Sequence, residues 1–581
     1  MRFLIAAALF VVSVVSLVLG LGDRTIWAPP ASHRIAVSID VKAPYVFVPS
    51  TVLHAFGGSP VLTAQNDGTT FVAYGREADV QAWLGNADYA SLMLDTAAVG
   101  TPVIKLGAEH IGISGPNPLD SDLWIDQSKG TGMARLAMNT RSDSGALIAV
   151  DGTLAAPKQI DLVWPIAHDL TYSNAMLGIG AAFFAAAAIM LIIALRHSRV
   201  KRGPRRRTPR APRVKRVRVR RNKSLVKPKG RRSNRNPVAR RIAVLPMALM
   251  LTASLAGCSI QLPGIFGGGN QAANPTASAS VSADTQPPAA VTRTQLERIL
   301  TDVAKVAAAG DKANNRTLLT SRFAGPAFQM RAVNYVMRKK SSKVDAMQAI
   351  AARPITFSLP AATDTWPRTI MAVTDESGQG IPPQMLVLQQ ATPRDNYKVW
   401  YVSRLLPGIK IPAVPSQAIG AIPVDSKSVF LKLAPLQVAG AFGDVINKGR
   451  SSLSAGLFDL SNPFYEQVSS GQKAQAAALI NAKISFRHTL GDPNTLSLAT
   501  ANAGALVAVF MNDTYVIKPN KTGAAVAVDG QEKILLGAGG STTGVQSVYG
   551  DMLFFYVPPV TGKTTIQLLG VTQGLLSIKK L

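Results

Sequence analysis

Residues 196–241 carry 22 Lys and Arg and no Asp or Glu. Like charges repel, nothing in the stretch pairs them, and such a block cannot bury itself in a core. Folded structure therefore has to lie on its two sides. An apolar run of 21 residues, Ala175 to Leu195, precedes the block directly, and a shorter run, Ile242 to Gly257, comes directly after it. The formal net charge of +29 is accordingly local: residues 23–172 carry −6, the block +22 and residues 242–581 +12.

Three apolar segments set the expected topology. Phe3 to Leu21 is long enough to cross a hydrocarbon layer, which takes about 20 helical residues. A cleaved signal peptide is the alternative, and either one exports the segment that begins at residue 23. Ala175–Leu195 reads as a second span. Its Gly178 and Gly180 permit another helix to approach closely, although a lipid-facing anchor needs no such neighbour. Basic residues collect on the cytoplasmic side, so Arg2 and the 196–241 block together place 23–172 outside and 196–241 inside. The third segment, RRIAVLPMALMLTASLAGC, opens on Arg240-Arg241 and ends in Leu255-Ala256-Gly257-Cys258. It resembles a bacterial lipoprotein signal with its lipobox, which implies cleavage before Cys258 and a diacylglycerol on the sulfur. Each buried lipid CH₂ contributes about 0.8 kcal/mol of membrane affinity. A third spanning helix is the alternative. Lipoprotein signals open a chain, whereas this one lies mid-chain, which suggests a fusion of a two-span membrane protein with a lipoprotein.

These segments divide the chain. Residues 1–22 are expected to form a transmembrane helix or signal anchor, 23–172 an exported β-rich domain, 173–195 a transmembrane helix and 196–241 a basic, disordered cytoplasmic linker. Residues 242–258 are a lipoprotein-type signal or third helix, and 259–291, rich in Gly, Ala, Ser, Thr and Pro, a flexible tether. Residues 292–409 and 425–581 are exported α+β domains joined by a linker at 410–424.

Within 23–172, strands are expected at Ile35–Ile39, Tyr45–Val48, Val52–Ala55, Phe71–Tyr74, Ser91–Leu94, Val103–Leu106, Leu147–Val150 and Ile160–Trp164. Asn66-Asp67-Gly68 predicts a tight turn, and Glu77–Leu84 a short helix with Ala78, Trp83 and Leu84 inward. After the tether, Thr294-Gln295-Leu296-Glu297 fits a capping box opening a helix that ends at Gly310. Further helices are expected at Pro326–Arg338, Val344–Ala351, Pro435–Ile446 and Gln472–Asn481. Strands are expected at Ile355–Leu359, Thr369–Val373, Met385–Gln389 and Lys398–Leu405, and in eight short runs between Ile484 and Ile578. Three pairs of stretches look alike: Ile355–Phe357 with Ile484–Phe486, Thr369–Ala372 with Leu496–Ala499, and Met385-Leu386 with Met552-Leu553. They point to an internal repeat. Helices succeeded by a curved antiparallel sheet resemble the cone-shaped folds of the nuclear-transport-factor-like or cystatin-like kind.

Chemical motifs are sparse. The single cysteine excludes an intrachain disulfide, and the six histidines show no ligand spacing for zinc. Gly562-Lys563-Thr564-Thr565 ends like a phosphate-binding loop but has Val557 where the first glycine belongs; a hairpin turn accounts for it better. Ser470-x-x-Lys473 and Lys521-Thr522-Gly523 lack the spacing of the serine acyl-enzymes. Asp120, Asp122 and Asp126 offer oxygens to Ca²⁺ without the glycine and glutamate of an EF-hand, and read better as a solvated acidic loop beside a core Trp124. The basic block has no aromatic residue for base stacking, so anionic inner-leaflet lipid is a better partner for it than nucleic acid.

On MRFLIAAALFVVS, FVAYGREADVQAWLG, RHSRVKRGPRRR and LAGC, the chain resembles an uncharacterised family of membrane proteins from high-GC Gram-positive bacteria, some of whose relatives are labelled glycosyltransferase. The resemblance implies no catalytic residues. The expectation is a plasma-membrane protein or lipoprotein, with 23–172 and 259–581 extracytoplasmic. It binds or organises an anionic wall polymer or another envelope protein there, with no cofactor and no catalytic motif. A glycan- or lipid-modifying enzyme is the alternative, as is a nucleic-acid contact through the linker.

Overall fold

The structure is a computed structural model that describes residues 2–28, 30–95, 103–166, 170–200, 287–375 and 381–581. Most of the basic block and the lipobox residues Leu255, Ala256, Gly257 and Cys258 lie outside the described residues. The chain divides into two units, residues 1–16 with 178–283 and residues 17–177 with 284–581.

The N-terminal part runs α1 (Arg2–Arg24), β1 (Ser32–Ser38), β2 (Tyr45–Val48), α2 (Ser50–Leu53), β3 (Val61–Arg76), α3 (Glu77–Leu84), β4 (Tyr89–Asp95), β5 (Val103–His110), β6 (Asp126–Ala137), β7 (Ser144–Ala149), β8 (Gln159–Pro165) and α4 (Thr171–Val200). Two helices, α1 and α4, are long and apolar enough to cross a membrane. Within the first unit, Ser13 Oγ donates to the Gly180 carbonyl at 2.8 Å, and the Phe10 and Phe184 rings lie 6.1 Å apart.

Strands β1–β8 form one sheet in the order β1-β8-β3-β7-β2-β4-β5, with β6 on β3. Both faces are covered, which is why its central strands are apolar without alternation. One face packs Val46, Leu62, Ile148, Leu162 and Trp164; the other packs Tyr45, Phe71, Trp83, Trp124 and Leu147. Several local expectations change. Val52-Leu53 ends the short helix α2 instead of opening a strand. Asn66–Gly68 makes no turn: it is a register shift inside the 16-residue β3, as a bulge allows. The first half of β6, residues 126–132, is polar and is recruited by pairing with β3, while Ala134 and Leu136 alternate inward in its second half. In α3 it is Asp79 and Val80, with Trp83 and Leu84, that point inward, while Ala78 is exposed.

The C-terminal part runs α5 (Arg293–Ala313), α6 (Gly325–Lys340), β9 (Ile355–Pro360), β10 (Arg368–Thr374), β11 (Gln384–Gln390), β12 (Lys398–Leu405), α7 (Pro435–Lys448), α8 (Pro463–Ala478), β13 (Ala482–Ala499), β14 (Ala505–Pro519), β15 (Val526–Ala527), α9 (Gly530–Leu536), β16 (Gly540–Ser541), β17 (Val545–Val557) and β18 (Gln567–Lys580). Eight strands make one antiparallel sheet, β13-β14-β17-β18-β12-β11-β10-β9. The two four-strand runs meet where Arg404 and Leu405 pair with Val571 and Gly570. One sheet therefore spans the 410–424 segment. Of the three look-alike pairs, two occupy strands of equal rank in the two runs, β9 with β13 and β11 with β17. Leu496–Ala499 lies at the end of β13 and not on the partner of β10.

The α5 capping box is built by Thr292 and Gln295, two residues earlier than Thr294 and Glu297. The helix runs past Gly310 to a left-handed cap at Asn314 (φ 47°). Residues 344–351 are not helical. Their carbonyls are taken by side chains, Asp345 by Asn334, Gln348 by Arg331 and Ala349 by Gln384, and such bonds compete with a helix.

Within the second unit, the N-terminal sheet domain docks on the C-terminal region through buried charge. Arg368, fully buried on β10, donates from Nη2 to Asp79 Oδ1 at 2.7 Å, and Arg76 grips the same carboxylate from its own strand. Arg322 pairs with Asp122, which also accepts the Tyr397 N–H at 2.8 Å.

Candidate functional site

The second strand run places polar residues on a face that is otherwise core. Cross-strand pairing sets His488 against Asp513 and Asp513 against Tyr549. On the same face, Tyr515 is two residues from Asp513, and Asp551 is two residues from Tyr549. Side chains two apart share a face in a strand, so the two carboxylates are diagonal neighbours within reach of each other. Further along that face, Val507, Val509, Phe555 and Val557 pack under Phe442 of α7. The polar group is thus the end of an apolar layer.

His488, Asp513 and Asp551 are buried. Asp513 Oδ1 lies 3.0 Å from His488 Nε2. The other side of the imidazole is held by α7, with Nδ1 2.7 Å from Asn447 Oδ1, and Gln472 of α8 brings its amide nitrogen within 3.1 Å of Nε2. Asp513 has His488 beside it and Asp551 has Gln573, but neither contact has full hydrogen-bond geometry. Burial first, and the neighbouring Asp513 second, push Asp551 up to about 8. Two carboxylates in one dry site do not both ionise readily, so Asp551 holds a proton near neutral pH.

Tyr515 and Tyr549 face outward from this pair, their ring centroids 5.4 Å apart. Burial raises both phenols; Asp513 raises Tyr515 further, and Glu532 does the same for Tyr549. Tyr549 Oη donates to Glu532 Oε1 at 3.1 Å. The tyrosines wall a cleft of about 680 Å³ between α8 and α9, which Gln475, Leu479, Ile484 and Glu532 also line, with Asp529 at its rim. A smaller cavity of about 340 Å³ lies across the sheet run, beneath α6, with Arg331, Asn334 and Gln573 in its wall.

Several sequence expectations take definite places. Asp120, Asp122 and Asp126 do not converge: Asp122 is buried on Arg322, Asp120 binds the Gln127 side chain and Asp126 the Gln127 N–H. The acidic loop is therefore not fully solvated. Trp124 is a core residue whose Nε1 donates to the Pro118 carbonyl. No cluster of three or more metal-ligating side chains occurs among the described residues. Gly562–Thr565 lies in the β17–β18 connection, and Ser470 sits within α8 with its hydroxyl donating to the Glu466 carbonyl. His488, Asp513 and Asp551 were not anticipated, because they are far apart in sequence. The available signal was an aspartate interrupting each of two apolar strands, VAVFMNDTYVI and VYGDMLFFYV.

Residues 287–580 match the family model described as "Domain of unknown function (DUF8094)". The chain belongs to the DUF8094 family. The match takes in both strand runs and the acid–histidine group, so the whole eight-stranded sheet is the DUF8094 region, and the N-terminal sheet domain lies outside it. No curated protein matches the chain, and no solved structure does.

Proposed function

We propose that this DUF8094 protein is a membrane-anchored protein of the bacterial cell envelope that binds a ligand at the outer face of the plasma membrane, in the cleft walled by Tyr515 and Tyr549. The observation that carries the reading is two carboxylates, Asp529 and Glu532, that line one cleft with the rings of Tyr515 and Tyr549. Neither has a Lys or Arg ion-pair partner among the described residues, and the buried Asp513 lies behind the rings against His488. Aromatic faces with carboxylates beside them attract an ammonium group, with about 0.5–2 kcal/mol from each cation–π contact. The ligand class is therefore a molecule carrying a primary or quaternary amine. The two apolar helices support membrane attachment, and the basic block supports a cytoplasmic position for residues 196–241. Elsewhere in 242–581 the excess of basic residues supports a separate, salt-sensitive attraction to anionic wall polymer.

Binding accounts for the site better than hydrolysis or group transfer. Both ring nitrogens of His488 are occupied by Asn447, Gln472 and Asp513. Among the described residues no hydroxyl or thiol is hydrogen-bonded to the imidazole, whereas an activated nucleophile needs that contact. The test is calorimetric titration of the full chain in neutral detergent with tetramethylammonium and alkylamines, and with a neutral disaccharide as comparison. The expected result is saturable amine binding, weakened roughly tenfold in Tyr515→Ala and in Glu532→Gln. Preference for the neutral sugar, or equal binding by the variants, contradicts it.

A further inference from the structure

The contact between residues 17–177 and the DUF8094 region has the composition of an interface between two molecules. The C-terminal side presents mostly arginines and the N-terminal side mostly carboxylates and free carbonyls, with one ion pair in the opposite sense, Arg76 to Asp364 at 2.8 Å. Arg394 donates to the carbonyls of Trp83 and Leu84 at 2.8 and 2.7 Å, which closes the end of α3 as a basic side chain does at a helix C-terminus. Gln295 reaches the Leu123 carbonyl at 3.0 Å, and Arg298 the carbonyls of Trp124 and Ile125. Asn396 Oδ1 accepts the Asp122 N–H at 3.1 Å. Arg368 and Arg322 bury their charge on Asp79 and Asp122. Trp366 packs against the cluster of Trp83 and Trp124, with the Arg368 guanidinium 3.6 Å above its ring. Tryptophan and arginine anchors dominate binding between proteins, and here Arg368 is fully buried and Trp366 partly buried. The charges agree at the level of whole segments: −6 on residues 23–172 against +12 on residues 242–581, an arrangement that favours encounter and register.

Every one of these contacts is made by residues before 178 or after 286. We propose that the two parts form a self-sufficient complex: residues 17–177 are the binding partner of the DUF8094 region, and the pair stays assembled when the chain between them is cut. A covalent tether supplies effective concentration and no contact of its own. Cleavage within 201–286, including any before Cys258, would then leave the DUF8094 region seated on the membrane-anchored half. A DUF8094 region on a separate chain would need a partner that presents two buried carboxylates and a helix C-terminus in this spacing.

The test uses the full chain, purified in detergent, with a protease site inserted within 275–283 so that the released piece lacks the apolar run 242–257. After complete cleavage the two pieces are separated by size-exclusion chromatography at physiological salt. Co-elution at micromolar concentration supports the proposal, and quantitative separation of the cleaved wild type overturns it. The Arg322→Ala/Arg368→Ala/Trp366→Ala variant, confirmed before cleavage to unfold in a single cooperative transition, is expected to lose at least a hundredfold in affinity between the pieces. Undiminished co-elution of that variant overturns the assignment to these residues, and so does a variant that falls apart only when wild type does. Should that variant not fold, Arg394→Ala alone is expected to speed dissociation of the cleaved complex about tenfold, and an unchanged rate counts against the proposal.

Discussion

Asp79 and Arg368, 289 positions apart in sequence, form a hydrogen-bonded ion pair at 2.7 Å with both side chains buried. Arg76 completes the group from three residues before Asp79, and it also reaches Asp364 at 2.8 Å. Two guanidinium groups therefore share one buried carboxylate. Removing water from such a group costs several kcal/mol per ion, and the contacts offset that cost only while every partner is in place. The arrangement is accordingly a device for position more than for net stability. It ties the N-terminal sheet domain to β10 through Asp79.

Arg322 is held under the same constraint. Its loss leaves Asp122, 1% exposed, with the Tyr397 N–H as partner and with the positive charge of Arg298 at greater range. Arg322→Ala is expected to lower the stability of the full chain by about 3–5 kcal/mol, read by denaturant unfolding in detergent. Arg322→Ala with Asp122→Asn is expected to recover part of the loss, because the uncompensated charge is then gone.

Asp551 sets a pH dependence. Its carboxyl titrates near 3.8 in the unfolded chain and is raised to about 8 by burial and by Asp513. Between those values the native state binds a proton that the unfolded state has released. Its contribution is therefore complete below about pH 4 and is lost progressively as pH rises to about 8. Asp551→Asn removes the titration. The variant and the wild type are expected to melt alike near pH 4, and the variant to be more stable above pH 8 by roughly 5 kcal/mol at most. Parallel melting curves across that range would contradict the assignment.

Lipid attachment at Cys258 is tested by metabolic labelling with a fatty-acid analogue. Wild type is expected to give a labelled product shorter than the full chain. Cys258→Ala is expected to give one unlabelled full-length band. A full-length, unlabelled wild type favours the third spanning helix.

Much of the fold was legible where burial imposes a simple period. Leu296, Ile299, Leu300 and Val303 lie on one buried face of α5, and the strands Ile355–Leu359, Thr369–Val373 and Met385–Gln389 sit close to their observed limits. Elements whose partners are distant were not legible. The α5 cap was ambiguous for a different reason: Thr292-x-x-Gln295 and Thr294-x-x-Glu297 both fit the capping-box pattern, and the one used is Thr292, whose Gln295, at 3% exposure, also binds the Leu123 carbonyl of the other domain. Asp79 turns inward because Arg368 arrives from β10, a fact that no local pattern on Glu77–Leu84 contains. The acid–histidine group was hidden for the same reason. His488, Asp513 and Asp551 come together only through the register of three strands, and none of them sits in a motif with fixed spacing.

The most direct test of the docked arrangement is a double-mutant cycle on Asp79 and Arg368. Stabilities of wild type, Asp79→Asn, Arg368→Met and the double variant are measured by denaturant unfolding under one detergent condition. Contacting charges in one buried network are coupled, and independent sites add to within about 0.5 kcal/mol. The docked arrangement predicts that each single substitution is strongly destabilising and that the double costs less than their sum by about 2 kcal/mol or more. Additive losses would contradict it.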